Sequence, residues 1–141
     1  MKIAVFDGQG AGLGQTVIRA LCQSLPQSCT IIALGTNTYA TSKMVRAGAS
    51  MGISGEKGFI SFCRQPLVDG LIAPISIIEP GSLRGELTAA MVHAFTDLRC
   101  RKFLIPLQHP RVFLPGVNEL PIKTSIEEIV RQILAETISH G

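Results

Sequence analysis

The chain has 141 residues, of which 46% are hydrophobic and 16% charged, and a formal net charge of +3. That length suits a single domain with a substantial core and is too short for a nucleotide-binding half plus a separate substrate half. The apolar content argues against disorder, no apolar run approaches the roughly 20 residues of a membrane span, and the basic residues are dispersed apart from Arg99-Cys100-Arg101-Lys102. With aromatics at only 5%, the basic stripe and stacking rings of a nucleic-acid groove are not expected.

Met1-Lys2 leads straight into a β-rich run, without the longer apolar region of a secretory signal, so a cytoplasmic location is expected. The first strand is predicted over Lys2 to Phe6, and a helix over Leu13 to Leu25, with Val17, Ile18, Leu21, Cys22 and Leu25 on one face and Pro26 as the stop. A second strand follows at Thr30 to Leu34, and a helical segment at Thr38 to Ala47. Beyond the glycine-punctuated stretch Gly48 to Gly58, a third strand is expected at Phe59 to Cys63. A fourth begins the apolar run Leu71 to Ile78, with Pro74 imposing a bend.

Ser82 is the expected cap of a helix carrying Leu83, Leu87, Ala90, Met91, Ala94, Phe95 and Leu98 on its apolar stripe. Lys102 to Leu107 reads as a fifth strand buried on both faces, and Val112 to Leu114 as a short edge strand between Pro110 and Pro115. Ser125 and Glu128 have capping-box spacing for a last helix whose Ile126, Ile129, Val130, Ile133 and Leu134 dock on the sheet. Alternating strands and helices of this kind predict an α/β fold, a Rossmann-like three-layer α/β/α domain with a mainly parallel sheet of about five strands plus the edge strand.

The stretch Asp7-Gly-Gln-Gly-Ala-Gly-Leu-Gly-Gln-Thr16 joins the first strand to the first helix. In such a turn glycines let backbone N–H groups approach an anion, and the helix N-terminus adds partial positive charge. The G-x-G-x-x-G pattern fails here, because Leu13 or Gln15 falls where its third glycine belongs. The P-loop pattern fails because Gln9 and Gln15 replace its first glycine and its lysine. The spacing that fits is G-x-x-x-G-x-G on Gly8, Gly12 and Gly14, which resembles the cofactor loop of short-chain dehydrogenases and reductases. Gly8, Gln9, Gly10, Ala11, Gly12, Leu13 and Gly14 are therefore the expected phosphate-binding residues.

A dinucleotide site also expects an acidic residue about 20 residues further on, at the end of the second strand, to bind ribose hydroxyls. Gly35-Thr36-Asn37-Thr38 offers neutral groups instead, so Thr36 and Asn37 are placed near a ribose, with Lys43 or Arg46 at hand for a 2′-phosphate. The missing acid counts against NAD specifically and leaves NADP or another phosphorylated ligand open, so the expected cofactor is NADP or, less favoured, NAD. Tyr39 and Lys43 spell Y-x-x-x-K, the acid/base spacing of that dehydrogenase family, but they follow the second strand, where the adenosine end would lie, so a packing or stacking role is expected.

Ligands of parallel sheets bind beyond the carboxyl ends of the strands, which singles out Ser76, Glu79, Ser82, Glu86, Gln108 and His109 as neighbours of the site. Glu86 is expected in the first turn of its helix, where the dipole favours a carboxylate; Asp7 is expected to hold the glycine turn. His109 is a candidate acid or base, and His93 and His140 carry no expected role. Cys22, Cys29, Cys63 and Cys100 lack metal or redox spacing and are expected as free, buried thiols; no metal site and no nucleophile elbow are predicted.

Together, IAVFDGQGAGLG, the block from Ile31 to Glu56, the segments around APISII and GSLRGELTAAM, and KFLIPL resemble a family of short bacterial Rossmann-like proteins catalogued as a domain of unknown function. Its hallmarks fall on Gly8 to Gly14, Gly35 to Asn37, Ala40 to Ser42, Ala47 to Ala49 and Gly85-Glu86. Ala11 stands where a glycine is common, and Pro80-Gly81 replaces the usual approach to the fourth helix. The resemblance implies the fold and leaves the activity open. The expectation is a protein that binds a nucleotide or small phosphorylated ligand and forms a homo-oligomer that covers the open sheet edges. The alternatives are a non-catalytic ligand sensor or assembly module, and a reductase completed by a partner subunit.

Overall fold

Five short aliphatic runs form one sheet in the order β3-β2-β1-β4-β5, with every neighbouring pair parallel. The computed structural model describes residues 1–65, 68–107, 111–116 and 121–140, with side chains to 137. The elements are β1 (Lys2–Asp7), α1 (Gly12–Ser24), β2 (Thr30–Gly35), α2 (Thr38–Arg46), β3 (Met51–Ser54), α3 (Gly55–Cys63), β4 (Gly70–Pro74), α4 (Ala89–Asp97), β5 (Arg101–Ile105) and α5 (Ile122–His140). A short 3-10 turn, Ile75–Ile78, follows β4. The strand order is that of the doubly wound nucleotide-binding folds, in which the chain reverses direction between the first strand and the fourth.

The side-chain alternation of β1 divides the core. Ile3 and Val5 pack with Val17, Ile18 and Leu21 of α1, Met44 of α2 and Ile126, Val130 and Ile133 of α5. Ala4 and Phe6 face the other way, toward Phe59 of α3 and Met91 and Phe95 of α4. Phe6 and Phe59 meet edge to face with ring centroids 5.1 Å apart, a geometry aromatic rings favour. These two faces make the expected α/β/α layering. No helix among the described residues is long and apolar enough to cross a membrane.

Several elements depart from the sequence expectation. The segment Phe59 to Cys63 is helical, and the third strand lies earlier, at Met51–Ser54. Its glycine is a packing device: a Cβ on Gly52 would collide with Thr41 Cγ2 and sit 3.0 Å from Val45 Cγ2, because α2 lies directly on this edge strand. Phe59, Phe62 and Cys63 then share one face of α3 against the sheet, at helical rather than strand spacing. The fourth helix starts at Ala89 with Thr88 as its cap, whose Oγ1 accepts from Met91 N–H at 3.2 Å. Ser82 does not cap it and instead donates to the Ser76 carbonyl at 2.8 Å.

Ser125 lies inside α5 and is buried, so the capping-box expectation fails; the Thr124 and Ser125 N–H groups bond Pro121 O, one turn earlier. β5 is an edge strand with Phe103 and Ile105 buried and Leu104 only half-buried. Val112 is an isolated bridge residue, not an edge strand through Leu114. The cysteines are free as expected but not buried: Cys22 is exposed and the others are half-buried.

Candidate functional site

β1 ends at Asp7 and the chain turns through Gly8 to Ala11 before entering α1. Gln9 (φ 52°) and Ala11 (φ 55°) adopt left-handed conformations there, Ala11 N–H bonds Gly8 O at 2.8 Å, and Gln15 N–H bonds Ala11 O at 2.9 Å. Asp7, 6% exposed, fastens both sides of the turn, accepting Gly8 N–H at 2.8 Å and Gly14 N–H at 2.7 Å. Burial pushes its carboxyl above the ordinary aspartate range, the two backbone bonds oppose this, and the nearby Glu86 charge adds to the rise.

The glycines of the loop have different causes. A Cβ on Gly8 would lie 2.7 Å from Thr36 Oγ1 and 2.9 Å from Leu83 Cδ1; one on Gly14 would lie 2.6 Å from Met44 Sδ and 3.0 Å from Asp7 Cβ. Both are glycine because neighbours leave no room. Gly12 is exposed, lies outside the left-handed region, and a Cβ there would meet nothing within 4 Å. The fold therefore places no steric demand on it. Among the described residues none accepts from the N–H groups of Gly12 and Leu13, which open the first turn of α1.

The end of β2 lies beside this loop. Asn37 caps α2, its Oδ1 accepting from Ala40 N–H at 2.7 Å, while its Nδ2 donates to Gln9 O at 3.1 Å. Thr36 N–H bonds Asp7 O at 3.2 Å. The structure thus brings the glycine loop together with Thr36 and Asn37, the residues the sequence singled out.

At their junction sits Glu86, which sequence reasoning had assigned to a helix turn. It lies instead in the turn preceding α4. Its Oε1 accepts from Gln9 N–H at 2.7 Å and from Thr36 Oγ1 at 2.9 Å, and its Oε2 from Asn37 Nδ2 at 2.8 Å. Burial works against the charged form, but these three hydrogen bonds outweigh it and hold the carboxyl below the usual glutamate range. Gly81, Leu83, Arg84 and Gly85 supply the bend, all at positive φ; the two non-glycine residues cost about 1–2 kcal/mol each for that conformation. Two signals in the sequence pointed to this residue, its place beyond the carboxyl end of the fourth strand and the family hallmark at Gly85-Glu86, but neither placed it against Gln9, Thr36 and Asn37.

Tyr39 is 61% exposed and borders the loop, its Cε1 lying 4.0 Å from where a Gly10 Cβ would be. Lys43 Nζ lies 5.3 Å from the centre of its ring, so Y-x-x-x-K forms a cation–π pair on α2. Near the end of β4 the Ser82 hydroxyl donates to the Ser76 backbone carbonyl. Gln108 and His109 lie outside the described residues. His93 pairs with Asp97 at 3.3 Å on the exposed face of α4, and the described residues contain no cluster of groups able to hold a metal ion. A cavity of about 520 Å³ lined by Ile3, Asp69, Arg101, Phe103 and Glu136 lies at the amino ends of the strands. Parallel sheets bind their ligands at the opposite, carboxyl ends, so the glycine loop is the stronger candidate.

Fold and site together define a doubly wound α/β protein with a glycine-rich turn at the point where strand order reverses. Residues 2–138 match the model of a family described as Domain of unknown function (DUF3842), and the chain belongs to that family. No curated protein matches the chain. Among solved structures it is similar to a dodecameric FMN-dependent Ubix-like decarboxylase from Escherichia coli O157:H7, with a TM-score of 0.56 and 16% identity, over 97% of this chain and 94% of that one. At that identity the likeness concerns the fold.

Proposed function

We propose that the chain binds the phosphate of a nucleotide or dinucleotide on the turn Gly8, Gln9, Gly10, Ala11, Gly12, Leu13 and Gly14, with Thr36 and Asn37 beside the ribose. The observation that carries this is Gly12: a glycine that neither sterics nor backbone conformation requires, next to N–H groups that no described residue uses. Absence of a side chain there lets a phosphate reach the amides, and the dipole of α1 favours its charge. Tyr39, exposed beside Gly10, offers a ring on which a base can stack. NAD and NADP fit this description, and the solved structure of similar fold named as FMN-dependent adds a flavin mononucleotide to the candidates.

The test is thermal unfolding of the purified chain with NAD(H), NADP(H), FMN, AMP and sugar phosphates. A ligand at 100 times its dissociation constant adds about 2.7 kcal/mol to stability. A Gly12→Val chain should fold, since its side chain enters open space, and should lose that gain. No stabilisation by any phosphorylated ligand, or an undiminished gain in Gly12→Val, refutes the proposal. Self-association is part of the same reading, supported by the open β3 edge and by Met51 on it, 49% exposed; a monomer in sedimentation equilibrium would remove that part.

A further inference from the structure

Doubly wound dinucleotide sites place an acidic side chain at the end of the second strand, where it accepts hydrogen bonds from ribose hydroxyls. β2 ends here in Gly35, Thr36 and Asn37, with no acid of its own. The fold supplies one from elsewhere. Glu86, carried by the turn before α4, sets its carboxylate between the Gly8-Gln9 backbone and the end of β2, bonded to Gln9 N–H at 2.7 Å, Thr36 Oγ1 at 2.9 Å and Asn37 Nδ2 at 2.8 Å.

A carboxylate has about four acceptor positions. These bonds use Oε1 twice and Oε2 once, so Oε2 retains capacity for one further donor. The complement of such a group is a hydroxyl; a phosphate in the same place meets like charge. Of the cations near α2 that a 2′-phosphate could call on, Lys43 lies over Tyr39 at 5.3 Å, and Arg46 is in the last turn of α2.

We infer that Glu86 selects the ribose of the bound nucleotide, accepting a hydrogen bond from a free 2′-hydroxyl and rejecting a 2′-phosphate. The ligand class is thereby narrowed to nucleotides with an unmodified ribose, of the NAD or AMP kind and not the NADP kind. This rests on the phosphate reading above, and adds to it a residue and a specificity.

The experiment is calorimetric titration of the full chain, wild type and Glu86→Gln, with NAD, NADP, AMP and 2′-deoxy-AMP. NAD should bind at least about tenfold more tightly than NADP, and AMP about tenfold more tightly than 2′-deoxy-AMP, as expected for a hydrogen bond to a charged group. Glu86→Gln keeps the shape of the side chain and removes its charge, so it should narrow the NAD to NADP ratio. Equal affinities in the wild type, or a ratio unchanged in a folded Glu86→Gln chain, overturn the inference and leave the phosphate reading standing. Binding of none of the four overturns the inference, whereas the phosphate reading falls only if FMN and the sugar phosphates fail to bind as well. The wild-type ratios require no variant, so they decide the matter even where Glu86→Gln does not fold.

Discussion

Replacing Gly12 and Gly14 by alanine, one at a time, separates a glycine kept for packing from one the fold does not need. The two stand two positions apart in the first turn of α1. At Gly14 an added Cβ meets Met44 Sδ at 2.6 Å and Asp7 Cβ at 3.0 Å, and Met44 is fully buried, so neither neighbour has space to retreat. Overpacking of this kind costs about 1–3 kcal/mol. At Gly12 the new methyl enters open space at an ordinary backbone conformation. There the loss of unfolded-chain freedom raises stability by about 0.4–1 kcal/mol. In a chain of this size 1 kcal/mol moves Tm by about 2–4 °C. Gly14→Ala should therefore melt several degrees below the parent and Gly12→Ala slightly above it, with matching shifts in urea midpoint. A Gly12→Ala chain destabilised as much as Gly14→Ala would show that the fold does require this glycine, and the observation behind the phosphate proposal would be lost.

Asp7→Ala leaves the N–H groups of Gly8 and Gly14 without their acceptor, at a cost of about 1–3 kcal/mol for each; urea denaturation measures it, and a loss under about 0.5 kcal/mol would refute the stapling role. The two carboxylates of the site titrate in opposite senses. Glu86 is held below its ordinary 4.5, so its contribution to stability is present above that pH and lost as pH falls through its folded value. Asp7 is raised above 3.8, so what it contributes is present below that pH and lost as pH rises through its folded value. Melting curves across the acid range should show Glu86→Gln flattening the acid-side loss, and a curve unchanged by the substitution would exclude this linkage. Among the cysteines, burial, reinforced by Cys100, pushes the Cys63 thiol up to about 12, whereas Cys22 is exposed. Iodoacetamide on the native protein at mildly alkaline pH should modify Cys22 first and Cys63 much more slowly, as read by peptide mass spectrometry; Cys63 labelled as fast as Cys22 would contradict its partial burial and raised pKa.

The first three elements of the fold were legible because their signals are local. The run Lys2 to Phe6, the glycine turn, the apolar face of α1 stopped at Pro26, and Thr30 to Leu34 each declare themselves within a few residues, and the observed elements follow them within a residue or so. Where the reading failed, a partner distant in sequence had overridden the local pattern. β3 was hidden by Gly52, which is small because Thr41 and Val45 of α2 press on it. The start of α4 was misplaced because Leu83 and Arg84 hold left-handed conformations that no propensity announces.

The same division runs through the site. The sequence by itself determined the order of the β-α units, the glycine turn between β1 and α1, and the placing of Thr36 and Asn37 at the end of β2, since each depends on neighbours along the chain. The tertiary structure alone decided which glycines are packing and which are free, and which carboxylate joins the glycine loop to the end of β2. Glu86 lies 77 residues from Gln9 and 50 from Thr36. An acid was sought along β2 itself, and the fold brings a carboxylate there from a turn after β4, because the parallel strands set the carboxyl ends of β1, β2 and β4 at one end of the sheet.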